Sequence, residues 1–227
     1  MCSGCGSTRF NIDVSAISTN DAQVKKSYKI LPNMEGVDVD DLQFQEYAAY
    51  LTRALNKQGF AEAKDGNNEL TIFLRYGISD PSERTASVPI IGQTGGGTST
   101  FNANTTSNIY SSSGNSYSGN SYTSGTVYKA PTYGVVGSNT YSYSVYSRFV
   151  EIDAVDYEVY KETKKLKSVW KTTIKSNGSS GDLRRVFPVL IAAAVPHLGT
   201  NTGQAVKVTM SEQKEIVKEI KGLSEPK

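Results

Sequence analysis

One long stretch of this sequence is almost free of charge, and it divides the chain into parts that follow different folding rules. Between Arg84 and Arg148 the single charged residue is Lys129, and Gly, Ser, Thr, Asn and Tyr dominate. Eight of the chain's 14 tyrosines lie in this stretch. It has too few aliphatic residues to offset the entropy of ordering a separate core. The flanking segments must therefore supply the core, and we interpret residues 86–147 as a polar hairpin insertion.

The two ends of this insertion have the pattern of strands. SVPIIGQT at 87–94 and NTYSYSVYSRFV at 139–150 are rich in β-branched and aromatic residues, and in the second segment these alternate with serines. The middle, roughly residues 95–130, is richer in Gly, Ser and Asn and is predicted to be a loose loop.

The segment before the insertion predicts a β-α-β unit. SYKILP, Ser27 to Pro32, reads as a first strand, and LTIFLRYGI reads as a buried one. Between them, apolar residues recur at the three- and four-residue intervals of one helix face. Asp40 is predicted to cap this helix and Gly59 to end it. The residues on the predicted apolar face are Phe44, Tyr47, Ala48, Leu51 and Leu55.

The segment after the insertion predicts a strand hairpin, a second helix that starts at Asp182 and ends at Gly199, and a last strand, AVKVTM. The predicted fold class is therefore α+β, a two-layer sandwich in the order β-α-β, β-hairpin, α, β with the polar hairpin inserted mid-chain. Residues 1–20 are expected to be a tether, 21–210 a single domain, and 211–227 a charged C-terminal helix or tail.

Several of these segments resemble the bacterial envelope lipoprotein family called domain of unknown function 4136. The segments are DLQFQEYAAYLTRALNKQGF, LTIFLRYGISDP, PTYGVVGSNTYSYS, RFVEIDAVDYE and GDLRRVFPVLIAAAVPHLG, and the likeness runs from about Phe10 to about Met210. It implies a small α+β domain that is exported and lipid-anchored at its N-terminus. The family has no catalytic or cofactor residues to transfer to this chain.

The two cysteines of the chain, Cys2 and Cys5, allow four interpretations. A C-x-x-C redox motif needs a preceding strand and a helix start, and a closed zinc site needs four ligands. The third interpretation is a lipoprotein cleavage site, in which Ser3-Gly4 precedes a lipidated Cys5; it requires a signal peptide encoded upstream of Met1. The fourth is an unmodified cytoplasmic N-terminus. We favour lipidation of Cys5, which predicts an outer-membrane lipoprotein that faces the periplasm.

Candidate catalytic groups are few. The only histidine, His197, lies near a predicted helix end, where it stabilises the helix dipole rather than building a triad. Glu151, Asp153 and Asp156 form an acidic cluster, and paired carboxylates hydrolyse glycosides. Alternation on one strand is more typical of a solvated face. We therefore expect no catalytic, metal or cofactor site, with a glycan-acting hydrolase as the alternative.

The tyrosines of the insertion are candidate partner-contact residues. Tyrosine among Ser, Gly and Asn is typical of adaptable recognition surfaces. The net charge of +2 and the single Lys129 argue against nucleic acid, which is bound by aromatic side chains interleaved with Lys or Arg. Cross-strand packing is the competing explanation for the tyrosines. We expect a non-enzymatic envelope module that is anchored to the membrane and contacts a protein or cell-wall glycan through Tyr110, Tyr117, Tyr122, Tyr128 and Tyr133.

Overall fold

The structure is a computed structural model that describes residues 9–64 and 66–223. Within these residues the chain is mostly β, with 53% strand and 23% helix. It forms a mixed eight-stranded sheet and four α-helices. The predicted two-layer α+β sandwich is therefore wrong. The difference arises because two segments expected to be irregular, the N-terminal tether and the middle of the polar insertion, are strands.

The elements follow one another along the chain with these bounds. The strands are β1 (Arg9–Ser18), β2 (Ser27–Pro32), β3 (Ala61–Glu62), β4 (Leu70–Ile78), β5 (Ser82–Tyr110), β6 (Ser116–Asp156), β7 (Ser168–Gly178) and β8 (Val206–Ser211). The α-helices are α1 (Leu42–Lys57), α2 (Tyr157–Thr163), α3 (Leu183–Ala194) and α4 (Glu215–Lys221).

The sheet has the order β3-β2-β4-β6-β7-β1-β8, and β5 pairs with β6 outside this path. β2 and β4 are parallel, and α1 connects them, as predicted for the β-α-β unit. β4, β6, β7, β1 and β8 then pair in antiparallel fashion. A single sheet therefore joins both sides of the polar insertion.

The two faces of this sheet differ sharply. In β1 every second side chain from Phe10 to Ala16 is buried, whereas Asn11, Asp13 and Ser15 are exposed. α3 packs against β1, β7 and β8 on the buried face, and α1 and α4 pack against α3. We call the opposite side of the sheet the charged face, and its exposed or half-buried charged residues include Arg9, Asp13, Lys29, Arg75, Glu151, Asp153, Lys171, Lys175 and Lys207.

Aromatic rings join the two long helices inside the core. The rings of Tyr47 in α1 and Phe187 in α3 stack in parallel with centroids 3.9 Å apart. Tyr76 of β4 meets the Tyr47 ring edge-on at 4.6 Å. The predicted apolar face of α1 is confirmed, because Phe44, Tyr47, Leu51 and Leu55 are buried and Ala48 is half-buried.

The helix ends agree with the sequence patterns except at two positions. One is the predicted end of the second helix at Gly199, since α3 ends at Ala194 and a 3-10 turn follows it. Asp41, rather than Asp40, caps α1, because its carboxylate accepts a hydrogen bond from the Phe44 N–H at 2.8 Å. Asp182 caps α3 as predicted. Gly59 has a φ of +76°, as expected of a residue that ends a helix in the left-handed region.

The N-terminal segment departs from the expected tether. From Arg9 onward it is β1, which lies between β7 and β8 and pairs with both. Its alternation of Phe10, Ile12 and Val14 with polar residues is the pattern of a strand that is buried on one face. The N-terminal segment is therefore part of the core sheet, and its buried side chains belong to the core.

The described chain divides into two compact units. The core unit comprises the residues up to Arg84 and from Tyr143 onward, and the hairpin unit comprises Thr85–Ser142. The hairpin unit is a two-stranded antiparallel ribbon that turns at 111–115, where the Ser111 N–H donates to Asn115 O at 2.8 Å. The loose loop predicted for residues 95–130 is thus extended strand on both sides of a short turn.

Candidate functional site

The five tyrosines predicted to contact a partner all lie in the hairpin unit and are exposed. Their side chains are between 64% and 79% exposed. The tyrosines concerned are Tyr110, Tyr117, Tyr122, Tyr128 and Tyr133. Rings packed across a ribbon would bury more of their surface, so cross-strand packing does not account for most of their area.

The tyrosines do not share one surface. Successive side chains of a strand point to opposite faces, so Tyr117 and Tyr133 lie on one face of β6 and Tyr122 and Tyr128 on the other. The first face is the more apolar, and we call it the apolar face of the hairpin unit. Its large exposed members are Ile91, Phe101, Ile109, Tyr117, Val127, Tyr133, Val135 and Tyr141.

A glycine contact fixes the relation of β5 to β6 on this face. A Cβ atom built on Gly125 would lie 2.7 Å from Cε1 of Phe101, so the Phe101 ring lies directly over Gly125. Gly96 has a φ of +78°, and a Cβ there would lie 2.2 Å from the backbone oxygen of Ala130. Only glycine fits there, which explains a glycine run inside β5.

Within the described residues, no third strand pairs with the backbone edges of the hairpin unit. The pairings of β6 with β4 and β7 begin at Arg148 and Tyr146, which belong to the core unit. Within the hairpin unit β5 and β6 pair with each other alone. Each outer edge therefore presents peptide N–H and C=O groups to solvent, and the single charged residue, Lys129, does little to block pairing.

The three candidate carboxylates differ in their partners and in their exposure to solvent. Glu151 on the charged face lies 3.4 Å from the Arg75 guanidinium, and the Asp153 carboxylate accepts a hydrogen bond from Ser168 Oγ at 2.6 Å. Asp156, by contrast, is 2% exposed. The three carboxylates therefore do not share a surface on which one substrate could meet all of them.

Asp156 holds the start of α2 in place. Its carboxylate accepts hydrogen bonds from the Val159 N–H at 3.2 Å and from Lys25 Nζ at 3.0 Å. Burial alone would raise its pKa, but the hydrogen bonds and the charge of Lys25 outweigh burial and hold the pKa of Asp156 below its ordinary value. Asp156 is thus a structural anion rather than a proton donor at neutral pH.

The remaining predicted site residues give no catalytic arrangement in the described part of the chain. His197 lies in the 3-10 turn Val195–His197 after α3, and its backbone oxygen accepts from the Thr200 hydroxyl at 3.0 Å. No group of three His, Cys, Asp or Glu side chains in the residues described is placed to hold a metal ion. Cys5, the predicted lipidation site, lies outside the described residues.

Arg148 is an unusual group that the sequence does not reveal. It is 2% exposed on the buried side of β6, and its guanidinium nitrogens have no hydrogen-bond partner among the described residues. Gly178 makes room for it, because a Cβ there would lie 2.5 Å from Arg148 Nη2. The Phe10 ring lies 5.9 Å from its guanidinium carbon. Burial lowers the pKa of Arg148, since desolvation disfavours the charged form.

An apolar groove interrupts the charged face beside α2. Its floor is formed by neighbouring strands and its wall by α2 and the residues that follow it, with a volume of about 420 Å³. Thr71 and Val155 in the floor are buried, although both lie on the charged face. The residues that line the groove are Leu31, Thr71, Phe73, Val155, Tyr157, Tyr160, Lys164 and Leu166.

Comparisons with known proteins give little beyond these observations. No family model matches the chain, and no curated protein does. A solved PDZ domain protein from Parabacteroides distasonis is 12% identical with a TM-score of 0.41, and the chain spans 40% of its length. The lysenin pore is 10% identical with a TM-score of 0.17 and is spanned over 48% of its length. Scores this low carry no argument about fold or function.

No helix in residues 9–64 and 66–223 is both long enough and apolar enough to cross a membrane.

Proposed function

We propose that this protein is a non-enzymatic interaction module of the bacterial cell envelope, anchored by a lipid on Cys5 to the periplasmic side of the outer membrane. Its hairpin unit binds a partner protein. The observation that carries the proposal is the hairpin unit itself, a ribbon of two strands with one charge and a row of exposed apolar side chains.

A ribbon of this kind is expected to need a partner. Two-stranded ribbons are marginal in water, because they bury little apolar surface for the backbone entropy they lose. The apolar face exposes Tyr117, Tyr133 and Val135 by more than 60% each. Contiguous exposed apolar surface marks interaction sites, so a partner that covers this face would stabilise the ribbon as well as bind it.

The chemistry of the ribbon favours a protein over a nucleic acid or a glycan. Its edges offer rows of peptide N–H and C=O groups, which another strand satisfies in full by strand addition. Its net charge of +1 from Lys129 gives no field for a polyanion. The partner therefore contributes an extended segment to one edge and apolar side chains to the apolar face.

Detergent-solubilised envelopes provide the test. We expect a tagged full chain to retain a stoichiometric protein partner, and Val127→Lys to lose it, because a charge then lies in the covered apolar face. Tyr122→Lys is the matched control, since it places the same charge on the other face of the same strand. Equal retention by both variants would contradict the proposal.

The anchor has a separate test. Mass spectrometry of the full gene product from its host is expected to find a lipid on Cys5, and Cys5→Ser is expected to move the protein into the soluble fraction. A free Cys5 thiol in a soluble product would remove the anchor from the proposal and leave the hairpin contact untouched.

A further inference from the structure

The groove beside α2 has features of a ligand site that the proposed function does not use. Around it, the charged face is occupied by cross-strand pairs of opposite charge, such as Asp13 opposite Lys175 and Asp153 opposite Lys171. Such pairs keep a sheet face solvated. The apolar groove of about 420 Å³ is a local exception on this charged face. Neither the fold of the sheet nor its charge pattern requires it.

α2 and the residues after it build the groove. Tyr157 and Tyr160 face it from α2, and Lys164 ends the helix with a φ of 57°. Lys164 is the one residue other than glycine with a positive φ in the described chain. This left-handed turn sends the chain back so that Leu166 lines the groove as well.

The size of the groove selects a small ligand. Sites for small molecules occupy about 300–1,000 Å³ and are lined mainly by apolar side chains with a few polar groups. At about 420 Å³ this groove lies near the lower limit. It has room for one narrow apolar body and is too small for the two chains of a membrane phospholipid.

The charge at the groove selects the head group. Its described lining includes one cation, Lys164, and no carboxylate. The Lys164 Nζ atom lies 5.6 Å from the centroid of the Tyr160 ring, which also lines the groove. The same turn also contains Lys161, Glu162 and Lys165, so residues 161–165 carry three cations and one carboxylate. A ligand with an apolar body and one anionic end matches this distribution.

We propose that the groove binds a single fatty acid anion, with its hydrocarbon tail against Leu31 and Phe73 and its carboxylate at Lys164. The tail removes apolar surface of the floor and of Leu166 from water. The carboxylate stays at the open end, where Lys164 and solvent share its charge. This site uses different residues from the hairpin unit and stands independently of it.

Isothermal titration of the full chain with decanoate, below its micelle concentration, tests the site. We expect one equivalent to bind and octanoate to bind more weakly, by two- to fourfold for each methylene lost. Decyltrimethylammonium, which has the same tail and a positive head, is expected to bind at least several-fold more weakly than decanoate. Absence of decanoate binding up to millimolar concentration, or equal binding of the cationic amphiphile, would overturn the proposal.

Variants assign the binding to the groove. Leu166→Asp is expected to abolish decanoate binding, because it places a carboxylate in the apolar wall at a side chain that is 65% exposed and makes little contribution to folding. Leu42→Asp, at a side chain that is 82% exposed on α1, is the matched control and is expected to bind normally. If Leu166→Asp binds as the unchanged chain does, the groove is not the site.

The head-group contact has its own variant. Lys164→Gln removes the charge but leaves a residue other than glycine at this positive φ. Decanoate is therefore expected to bind two- to fivefold more weakly, whereas the binding of decanol is expected to stay unchanged. Sedimentation velocity gives a further check on the occupant. A self-association of the full chain that Leu166→Asp abolishes would show that a second copy fills the groove, and this result would overturn the fatty acid assignment.

Discussion

At the scale of single residues, Asp156 shows how a sequence feature that resembles catalytic machinery serves the structure instead. Its carboxylate is shared between the Lys25 ammonium and the first turn of α2. Lys25 also bonds Glu158 at 2.8 Å, so one cation ties two carboxylates of the same helix start to the segment that precedes β2. The groove wall depends on this anchoring, because α2 forms that wall.

Asp156→Asn is expected to lower the free energy of unfolding by about 2 kcal/mol at pH 7, since it leaves Lys25 without its buried partner while Asn still caps the helix. Glu158→Gln is the control, because this side chain is 61% exposed, and it is expected to cost less than about 0.5 kcal/mol. Urea denaturation measures both changes. Equal losses for the two variants would contradict the structural role of Asp156.

The same pair predicts a pH dependence. Because folding lowers the pKa of Asp156, its contribution is fully present above the unfolded-state pKa of about 4 and is lost as the pH falls through the folded-state pKa. The difference in stability between the wild type and Asp156→Asn is therefore expected to shrink below about pH 4. A difference that stays constant from pH 7 to pH 2.5 would show that the charge of Asp156 has no part in it.

Arg148→Met is expected to raise the free energy of unfolding by about 1 kcal/mol, because an unpaired buried guanidinium costs desolvation energy that a thioether of similar length does not. Thermal and urea unfolding measure the change. A loss of more than 2 kcal/mol would mean that Arg148 has an anionic partner in the folded protein.

At the residue scale, local chemistry could be predicted and long-range partners could not. Asp182 and Gly59 followed from capping patterns that act within a few residues. Lys25 and Asp156 are far apart in sequence, and no local pattern joins them. The side of β6 on which Arg148 lies follows from the alternation that it shares with Val150 and Ile152, but its lack of a partner depends on distant segments and no local pattern shows it.

At the scale of elements, β1 is the clearest difference from expectation. The alternation of Phe10, Ile12 and Val14 with polar residues predicts this strand, whereas a lipidated Cys5 just before it would require a tether. Ile12→Ala is expected to cost about 2–4 kcal/mol, since Ile12 is 1% exposed in the core. Asp13→Ala on the opposite face is expected to change stability by less than 0.5 kcal/mol. If Ile12→Ala and Asp13→Ala have equally small effects in urea unfolding, this segment is a tether and not a core strand.

The hairpin unit is a second difference at this scale. Its ends were predicted as strands because Val, Ile and Tyr alternate there, whereas Gly, Ser and Asn in the middle have low strand propensity. Pairing with the neighbouring strand carries the extended conformation through the middle, and Gly96 accommodates a local irregularity. Strand propensity alone therefore fails to predict the middle of β5 and β6, where the pairing register is already fixed by the ends of the two strands.

At the scale of the whole molecule, the core unit has an apolar core of its own. Its buried side chains come from strands of the sheet and from α1, α3 and α4. The chain can leave and re-enter this unit at adjacent points, because Ser82 Oγ donates to Val145 O at 3.2 Å. Replacing residues 85–142 by Asn-Gly, a tight hairpin turn, is thus expected to shift Tm by only a few degrees. Loss of cooperative unfolding in calorimetry would show that the core depends on the hairpin unit.

The central claim is that the hairpin unit is the surface that meets a partner protein. Site-specific photo-crosslinking in the host tests it most directly, with a photoreactive phenylalanine derivative in place of Tyr133 and, as the control, in place of the 82% exposed Leu42 of the core unit. We predict one discrete protein adduct at Tyr133 and none at Leu42. No adduct at Tyr133, or the same adducts at both positions, would contradict the claim.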